Sequence, residues 1–313
     1  MHGGTTSMVS AGELHLPGLD YNNFTPELMT SLALLAKATT GRIRWSGAKV
    51  HAGTLLMVPG MTEEEFDKVS NASTILTKFL FYPLAPANKE EAQRYVRWCY
   101  EHGLRVKVHT GGVIALGLER CLRLRDAVLA AALYRGVYLG GPIPMPDEDL
   151  DAMIDNTEFA LEICSSGNYR SAIRAVERLI KAGRLDRLTL GADTPGGTGV
   201  LARGMLRNII FLSSVCGLSA GEVIAVATGN TAKAHGLDTG ILKPGIPADL
   251  VTPGRIDSSA GTTLTEAIEY GDLPGVTAVM IDGELAVEGR SEQTPPPQER
   301  ASVEYAYGCP FCG

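Results

Sequence analysis

Asp193 stands in the run Leu190-Gly191-Ala192-Asp193-Thr194-Pro195-Gly196-Gly197-Thr198-Gly199, where a short apolar strand ends in one carboxylate and a glycine-rich loop. Arg105-Val106-Lys107-Val108-His109-Thr110-Gly111-Gly112 has the same shape, with His109 at the strand end. In a β/α barrel, catalytic groups stand at the C-terminal ends of strands and face the mouth. One His and one Asp at such ends are the usual parts of a metal-assisted hydrolase. Two plainer roles stay open: Asp193 also suits the start of a turn, and His109 suits a buried imidazole bonded to a backbone carbonyl. Lys78 is the third candidate, a lone amine in the apolar strand Leu76-Thr77-Lys78-Phe79-Leu80-Phe81-Tyr82. Burying it is costly unless the amine is neutral or modified, or snorkels at a strand edge. No His-x-His pair occurs anywhere in the chain.

Weaker signals surround these three. His51 ends the expected strand Ala48–Met57, where it reaches substrate or is simply structural. Thr194, Gly197 and Thr198 lie in a loop whose backbone N–H groups suit substrate binding, or that serves only as a connector. Arg203 and Arg207 lie one turn apart on the next helix, so either can hold a substrate carboxylate or form a solvated face. His102 and His235 end helices, where an imidazolium suits the dipole, and neither is assigned a catalytic role. Cys309 and Cys312 form one CxxC without a second pair, a weak zinc or redox signal.

The elements that must position these groups follow a βα rhythm. Strands are expected near Thr5–Ala11, Ala48–Met57, Thr74–Tyr82, Arg105–His109, Gly136–Leu139, Glu158–Cys164 and Leu188–Gly191, one short of a closed eight-stranded barrel. Helices are expected at Glu63–Ser70, Lys89–His102, Asp147–Asp155 and Tyr169–Ala182. Ala92, Tyr95, Val96 and Cys99 share one face of the second, and Gly103 stops it. Leu201–Cys216 and Ala220–Ala227 read as two further helices. A turn-rich passage from Gly240 then feeds a strand, and Val276–Ile281 and Glu284–Val287 are joined by the hairpin signal Asp282-Gly283. This divides the chain into a barrel over 1–238, a small β unit over 239–290 and a flexible tail over 291–313.

The chain has 313 residues, 45% hydrophobic and 20% charged, with a net charge of -7. That composition suits a large globular core and argues against nucleic acid or an anionic membrane surface as partner. No apolar run approaches the roughly 18–20 residues of a membrane span, and Met1-His2-Gly3-Gly4 lacks the regions of a signal peptide. Six scattered cysteines fit a reducing cytoplasm.

Val106-Lys107-Val108-His109, Gly191-Ala192-Asp193 and the run from Ala227-Thr228-Gly229-Asn230-Thr231-Ala232 through Gly236-Leu237 to Pro244-Gly245 and Ala248-Asp249-Leu250 resemble the amidohydrolase superfamily. HTGG from His109, DTPGGTGV from Asp193, RGMLRN from Arg203, GDLPGV from Gly271 and IDGE from Ile281 resemble its enamidase branch. The likeness runs from Met1 to about Pro297. It implies an α/β fold, a (β/α)8 TIM barrel of the amidohydrolase type with a small β-sandwich unit at the C-terminus. Against that pattern the sequence reads as N-terminally truncated, without the first strand and its His-x-His pair. The stretch from Val113 to Leu139, rich in Leu, Ala and Arg, lacks the His expected before Gly140-Gly141-Pro142, a departure that two compensating frameshifts would produce.

The resemblance further implies a divalent metal centre of zinc or iron, with two ions per chain, in which metal-activated water attacks the carbonyl of a cyclic amide. Asp193 matches the general base and acid, and His109 a metal ligand. Lys78 falls where related enzymes carry a bridging Glu or a carboxylated Lys. The implied substrate is 6-oxo-tetrahydronicotinate, opened to 2-formylglutarate and ammonia, and a homo-oligomer is compatible with the likeness. Lys78 favours instead a dihydroorotase-like or imidazolonepropionase-like activity, and the missing histidines suit an inactive fragment.

Overall fold

The computed structural model describes residues 1–12, 18–20, 23–41, 47–80, 82, 86–109, 137–140, 147–165, 168–194, 199 and 201–304. Six parallel strands carry the candidate residues: β3 (Leu55–Leu56), β4 (Leu76–Phe79), β5 (Arg105–His109), β6 (Val137–Gly140), β7 (Ala160–Cys164) and β8 (Leu188–Gly191), hydrogen-bonded in that order. A parallel pair, β1 (Ser7–Val9) with β2 (Lys49–His51), precedes them. Every strand expected from the sequence is therefore present, but Ala48–Met57 is broken into β2 and β3. The break falls at Gly53, whose φ is +98° and where a Cβ would come within 2.9 Å of the Ala33 carbonyl and of Thr74 Oγ1. Only glycine lets the chain pass so close to the first helix in this conformation.

Helices α1 (Pro26–Thr40), α2 (Glu63–Asn71), α3 (Lys89–Glu101), α4 (Asp147–Asn156) and α5 (Tyr169–Lys181) lie in the crossovers. Alternation along each strand decides what they cover. Val106 and Val108 of β5, Leu161 and Ile163 of β7, and Leu188 and Leu190 of β8 pack into one cluster with helix residues such as Phe66, Val96, Val176 and Leu179. The expected apolar face of α3 (Ala92, Tyr95, Val96, Cys99) is buried as a unit. Helix α1 was not anticipated, although Thr25 accepts from the Leu28 N–H and Pro26 opens the first turn.

Helices α6 (Gly204–Ser214) and α7 (Ala220–Ala225) follow β8, then a π turn over Val226–Asn230 and α8 (Thr231–His235). This last passage covers the outer edge of β8. The Leu190 N–H donates to Thr231 Oγ1 at 3.1 Å, and Asn230 Nδ2 donates to the Leu188 carbonyl at 3.2 Å.

The C-terminal unit is an antiparallel sheet of β9 (Leu250–Gly254), β10 (Gly275–Ile281) and β11 (Glu284–Val287), with α9 (Leu264–Tyr270) between the first two. Asp282 and Gly283 take φ values of 52° and 83°, as a two-residue hairpin turn needs. Lys49 of β2 reaches across to this unit, 2.9 Å from Asp249 and 2.6 Å from Asp282.

The expected flexible tail needs correction over Ser291–Ala301. Ser291 Oγ donates to the His2 carbonyl at 2.7 Å, the Val276 N–H donates to Thr294 Oγ1 at 2.9 Å, and bridges pair Ile256 with Pro297 and Gly289 with Ala301. The segment is extended, but the small sheet holds it. The stretch 113–136, Gly141, Pro142, Cys309 and Cys312 lie outside the described residues. Among the described residues no helix is long and apolar enough to cross a membrane.

Candidate active site

With Val106 and Val108 turned to the helices, Arg105, Lys107 and His109 are left on the inner face of β5, and the same alternation puts Glu162 and Cys164 inward on β7. The inner face is thus charged where most barrels are filled by branched apolar side chains. Lys78 of β4 is only 8% exposed and stands in register beside Lys107. The Lys107 ammonium lies 2.5 Å from Glu162 Oε1, an ion pair reaching over β6, with both side chains almost wholly buried. On β8, Gly191 leaves room for that carboxylate, because a Cβ there would sit 3.0 Å from Glu162 Oε1.

Asp193 follows β8 by two residues. Its φ of 53° lies in the left-handed region, which Asp tolerates better than bulkier residues, and its side chain is exposed at the strand end. Asn208 of α6 steadies this end: its Nδ2 donates to the Gly191 carbonyl at 2.8 Å, and its Oδ1 accepts from Ser165 Oγ at 3.3 Å.

Electrostatics tie the groups together. Burial and then the Lys107 charge pull the Lys78 amine down to about 8, against the opposing pull of Glu162, Asp193 and Cys164. Burial would raise the Glu162 carboxyl, but the Lys107 ammonium bonded to it, with Lys78 as a further positive group, holds it below the usual range. The Lys78 amine therefore loses its proton far more readily than a free lysine but is still mostly protonated at pH 7, whereas Glu162 is ionised.

The other expected residues separate. Thr194 is exposed beside Asp193, and Gly197 and Thr198 lie outside the described residues. His51 is half-buried; burial, then Lys37 and Lys49, push its imidazole pKa down. Arg203 stands just before α6 next to the N-terminal residues, its Cα 3.8 Å from the point where a Gly3 Cβ would be, and Arg207 is exposed. His235 departs from its expectation. It is 5% exposed, its Nδ1 lies 2.9 Å from the Thr231 carbonyl, and burial pushes its pKa down, so it is neutral rather than an imidazolium. His102 is paired with Glu63 at the surface.

Lys107 and Glu162 were not singled out from the sequence. The signal was present: Arg105, Lys107 and His109 alternate with valines, and Ala160, Glu162 and Cys164 alternate with Leu161 and Ile163.

The donor chemistry bears on a metal. Among the described residues no three His, Cys, Asp or Glu side chains converge as a metal site. An imidazole (His109), a carboxylate (Asp193) and an amine of lowered pKa (Lys78) do stand toward the C-terminal end of the sheet. Together they could hold a divalent ion only if Lys78, once its proton is lost or replaced, supplied a third donor.

The amidohydrolase family model matches residues 83–286, which include His109, Glu162 and Asp193. This chain belongs to the amidohydrolase family. It is 32% identical over 303 residues to enamidase of Eubacterium barkeri, covering 97% of this chain and 77% of that protein. The crystal structure of enamidase superposes with a TM-score of 0.86, at 32% identity and the same coverage. L-hydantoinase (dihydropyrimidinase) from Arthrobacter aurescens matches with a TM-score of 0.63 at 15% identity, over 97% of this amidohydrolase and 80% of that chain, a likeness of fold alone. The family fold is the TIM-barrel type, and the amidohydrolase is a hydrolytic enzyme acting on amide bonds.

Proposed function

We propose that this amidohydrolase cleaves the C–N bond of a cyclic amide in the manner of enamidase. The substrate is 6-oxo-tetrahydronicotinate or a close relative: one water opens the ring, and a second frees ammonia from the resulting enamine to leave 2-formylglutarate. The observation that carries this reading is the exposed Asp193 at the end of β8 in a chain 32% identical to enamidase over 97% of its length.

Asp193, exposed at the end of β8, takes the proton of the attacking water and delivers it to the leaving nitrogen. Its position allows both transfers, because water and the ring reach it without passing the packed interior. His109, Asp193 and Lys78 are the residues that would hold a divalent ion. Such an ion, zinc or iron, supplies Lewis-acid polarisation of the carbonyl and a water acidic enough to react at neutral pH. Lys78 serves best carboxylated: the unprotonated fraction of its amine adds to CO2, one N–C bond forms, one proton is released, and the carbamate is an anionic oxygen donor. Arg203, with Thr194, Gly197, Thr198 and His51, is assigned to holding the substrate, the guanidinium suiting a ring carboxylate.

The reading extends to a barrel over 1–238 with the small sheet over 239–290 as part of a β-sandwich, in a cytoplasmic protein that forms a homo-oligomer. Ammonia release from a panel of cyclic amides tests it. Turnover of 6-oxo-tetrahydronicotinate that is lost in Asp193→Asn supports it. Turnover only of hydantoins, dihydropyrimidines or imidazolones moves the enzyme to the second reading, which Lys78 favours. No turnover of any cyclic amide by metal-supplemented protein makes the chain inactive.

A further inference from the structure

The interior of the sheet holds a buried pair of charges to which the reaction proposed above assigns no role. Lys107 and Glu162 lie on the inner faces of strands β5 and β7, their charged atoms 2.5 Å apart and both side chains at most 10% exposed. Lys107 neighbours Lys78 in register, so two amines stand side by side where a metal-binding interior would be expected to carry anions. Glu162 lies across Gly191 of β8, on the inner face two residues before Asp193. It is therefore the carboxylate that an ion below Asp193 would reach first, and Lys107 already occupies it. A buried dication facing an unpaired ammonium loses more than it gains, whereas an ammonium paired with a carboxylate leaves the interior locally neutral.

We propose that the Lys107–Glu162 pair acts as an internal counter-ion, taking the place of a second metal and limiting this barrel to one divalent ion. Lys107 contributes the fixed positive charge, and Glu162 is withheld from coordination because its oxygen is engaged. The pair acts as a positioning device, buried and engaged with itself. The inference rests on the metal reading given above, in which His109, Asp193 and Lys78 hold one ion.

The test is metal stoichiometry and affinity on the full chain, stripped with chelator and titrated with Co2+ or Zn2+, with elemental analysis and the visible Co2+ spectrum as readouts. Wild type is expected to take up one equivalent. Lys107→Gln frees Glu162 and removes a repelling charge, so affinity rises about tenfold or a second equivalent binds. Glu162→Gln leaves Lys107 unpaired and lowers affinity by about tenfold, and the Lys107→Gln/Glu162→Gln double variant returns towards wild type. Two equivalents in wild type overturn the inference and leave the metal reading intact. Folded Lys107→Gln protein with unchanged or weaker binding also overturns it, because a merely structural pair loses metal when broken. If Lys107→Gln does not fold, the wild-type equivalents and the Glu162→Gln affinity decide. No binding by wild type or any variant overturns the metal reading and the inference together.

Discussion

At the scale of single residues, the site separates groups that act from groups that tune. Asp193 is exposed and takes no part in the buried core, so Asp193→Asn should lower turnover by about 10²–10⁴-fold with an unchanged melting temperature. The paired His109→Ala variant should lose metal by elemental analysis; undiminished metal content would remove His109 from the ligand set. Lys78 makes the opposite kind of prediction. Its amine titrates near 8 in the folded chain against an ordinary 10.5, so between those values the unfolded chain binds more protons. Stability of the metal-free protein therefore rises with pH across that window, and the full cost of burying the charge is felt below about pH 8. Lys78→Met should abolish activity yet stabilise the apo protein at pH 7 by up to ~3 kcal/mol and flatten that rise. Denaturant titrations at pH 7 and pH 10 measure both, and a destabilised variant at pH 7 would contradict the argument.

Individual elements are secured less by surface charge than by buried polar groups placed at their ends and edges. β8 lies at one edge of the six-stranded sheet, and its Leu190 N–H is satisfied by the Thr231 hydroxyl. Thr231→Val keeps the shape but removes the acceptor, at a cost of about 1–3 kcal/mol, with protection of the Leu190 amide falling in hydrogen exchange. Arg187, 4% exposed, donates to the Phe159 carbonyl at 2.7 Å and to the Ile154 carbonyl at 2.8 Å. It thereby satisfies a carbonyl in the last turn of α4 and ties that helix to the approach to β8. Arg187→Met should cost about 2–4 kcal/mol in chemical unfolding. The ladder of Asp147, Asp151 and Asp155 against Arg170, Arg174 and Arg178 between α4 and α5 is longer but partly solvated. Asp151→Asn should accordingly cost less than about 1 kcal/mol; an equal loss in both variants would show that burial does not govern these contacts.

Across the whole molecule, two units are joined by charge and by the chain's own ends. Lys49 of β2 holds Asp249 and Asp282, and His2 is held by Ser291 next to β10. Protonation should loosen this assembly from the acid side. His51 and His235 both have pKa values pushed below the ordinary 6.5, chiefly by burial. The folded chain thus binds fewer protons than the unfolded chain once pH falls below that value, and stability declines from there towards the folded pKa values. Replacing His235 with Gln should shrink that slope in urea titrations between pH 7 and pH 5; an unaltered slope would place the titration elsewhere.

Strand ends are legible in the chain, because alternation of apolar residues is local and shows which side chains share a face. His109, Asp193 and the buried face of α3 were readable for that reason, and so was the turn at Asp282-Gly283, whose residue types suit positive φ. Lys78 was legible as an anomaly, a charge in an apolar run. What those charges meet depends on how the strands assemble. Lys107 and Glu162 are 55 residues apart in sequence, and they pair because β6 sets β5 and β7 at a distance that two inward side chains can span. His235 ends a short helix, and chain order suggests an imidazolium at a helix terminus; burial, aided by Lys107 and against the pull of Glu162, makes it a neutral ring instead. Ser291–Ala301 reads as a polar, proline-rich tail, yet it is held because its hydroxyls and backbone find partners on β10 and near Met1–Gly4. Periodicity fixes which face a residue takes; which distant group waits on that face is settled only when the strands assemble.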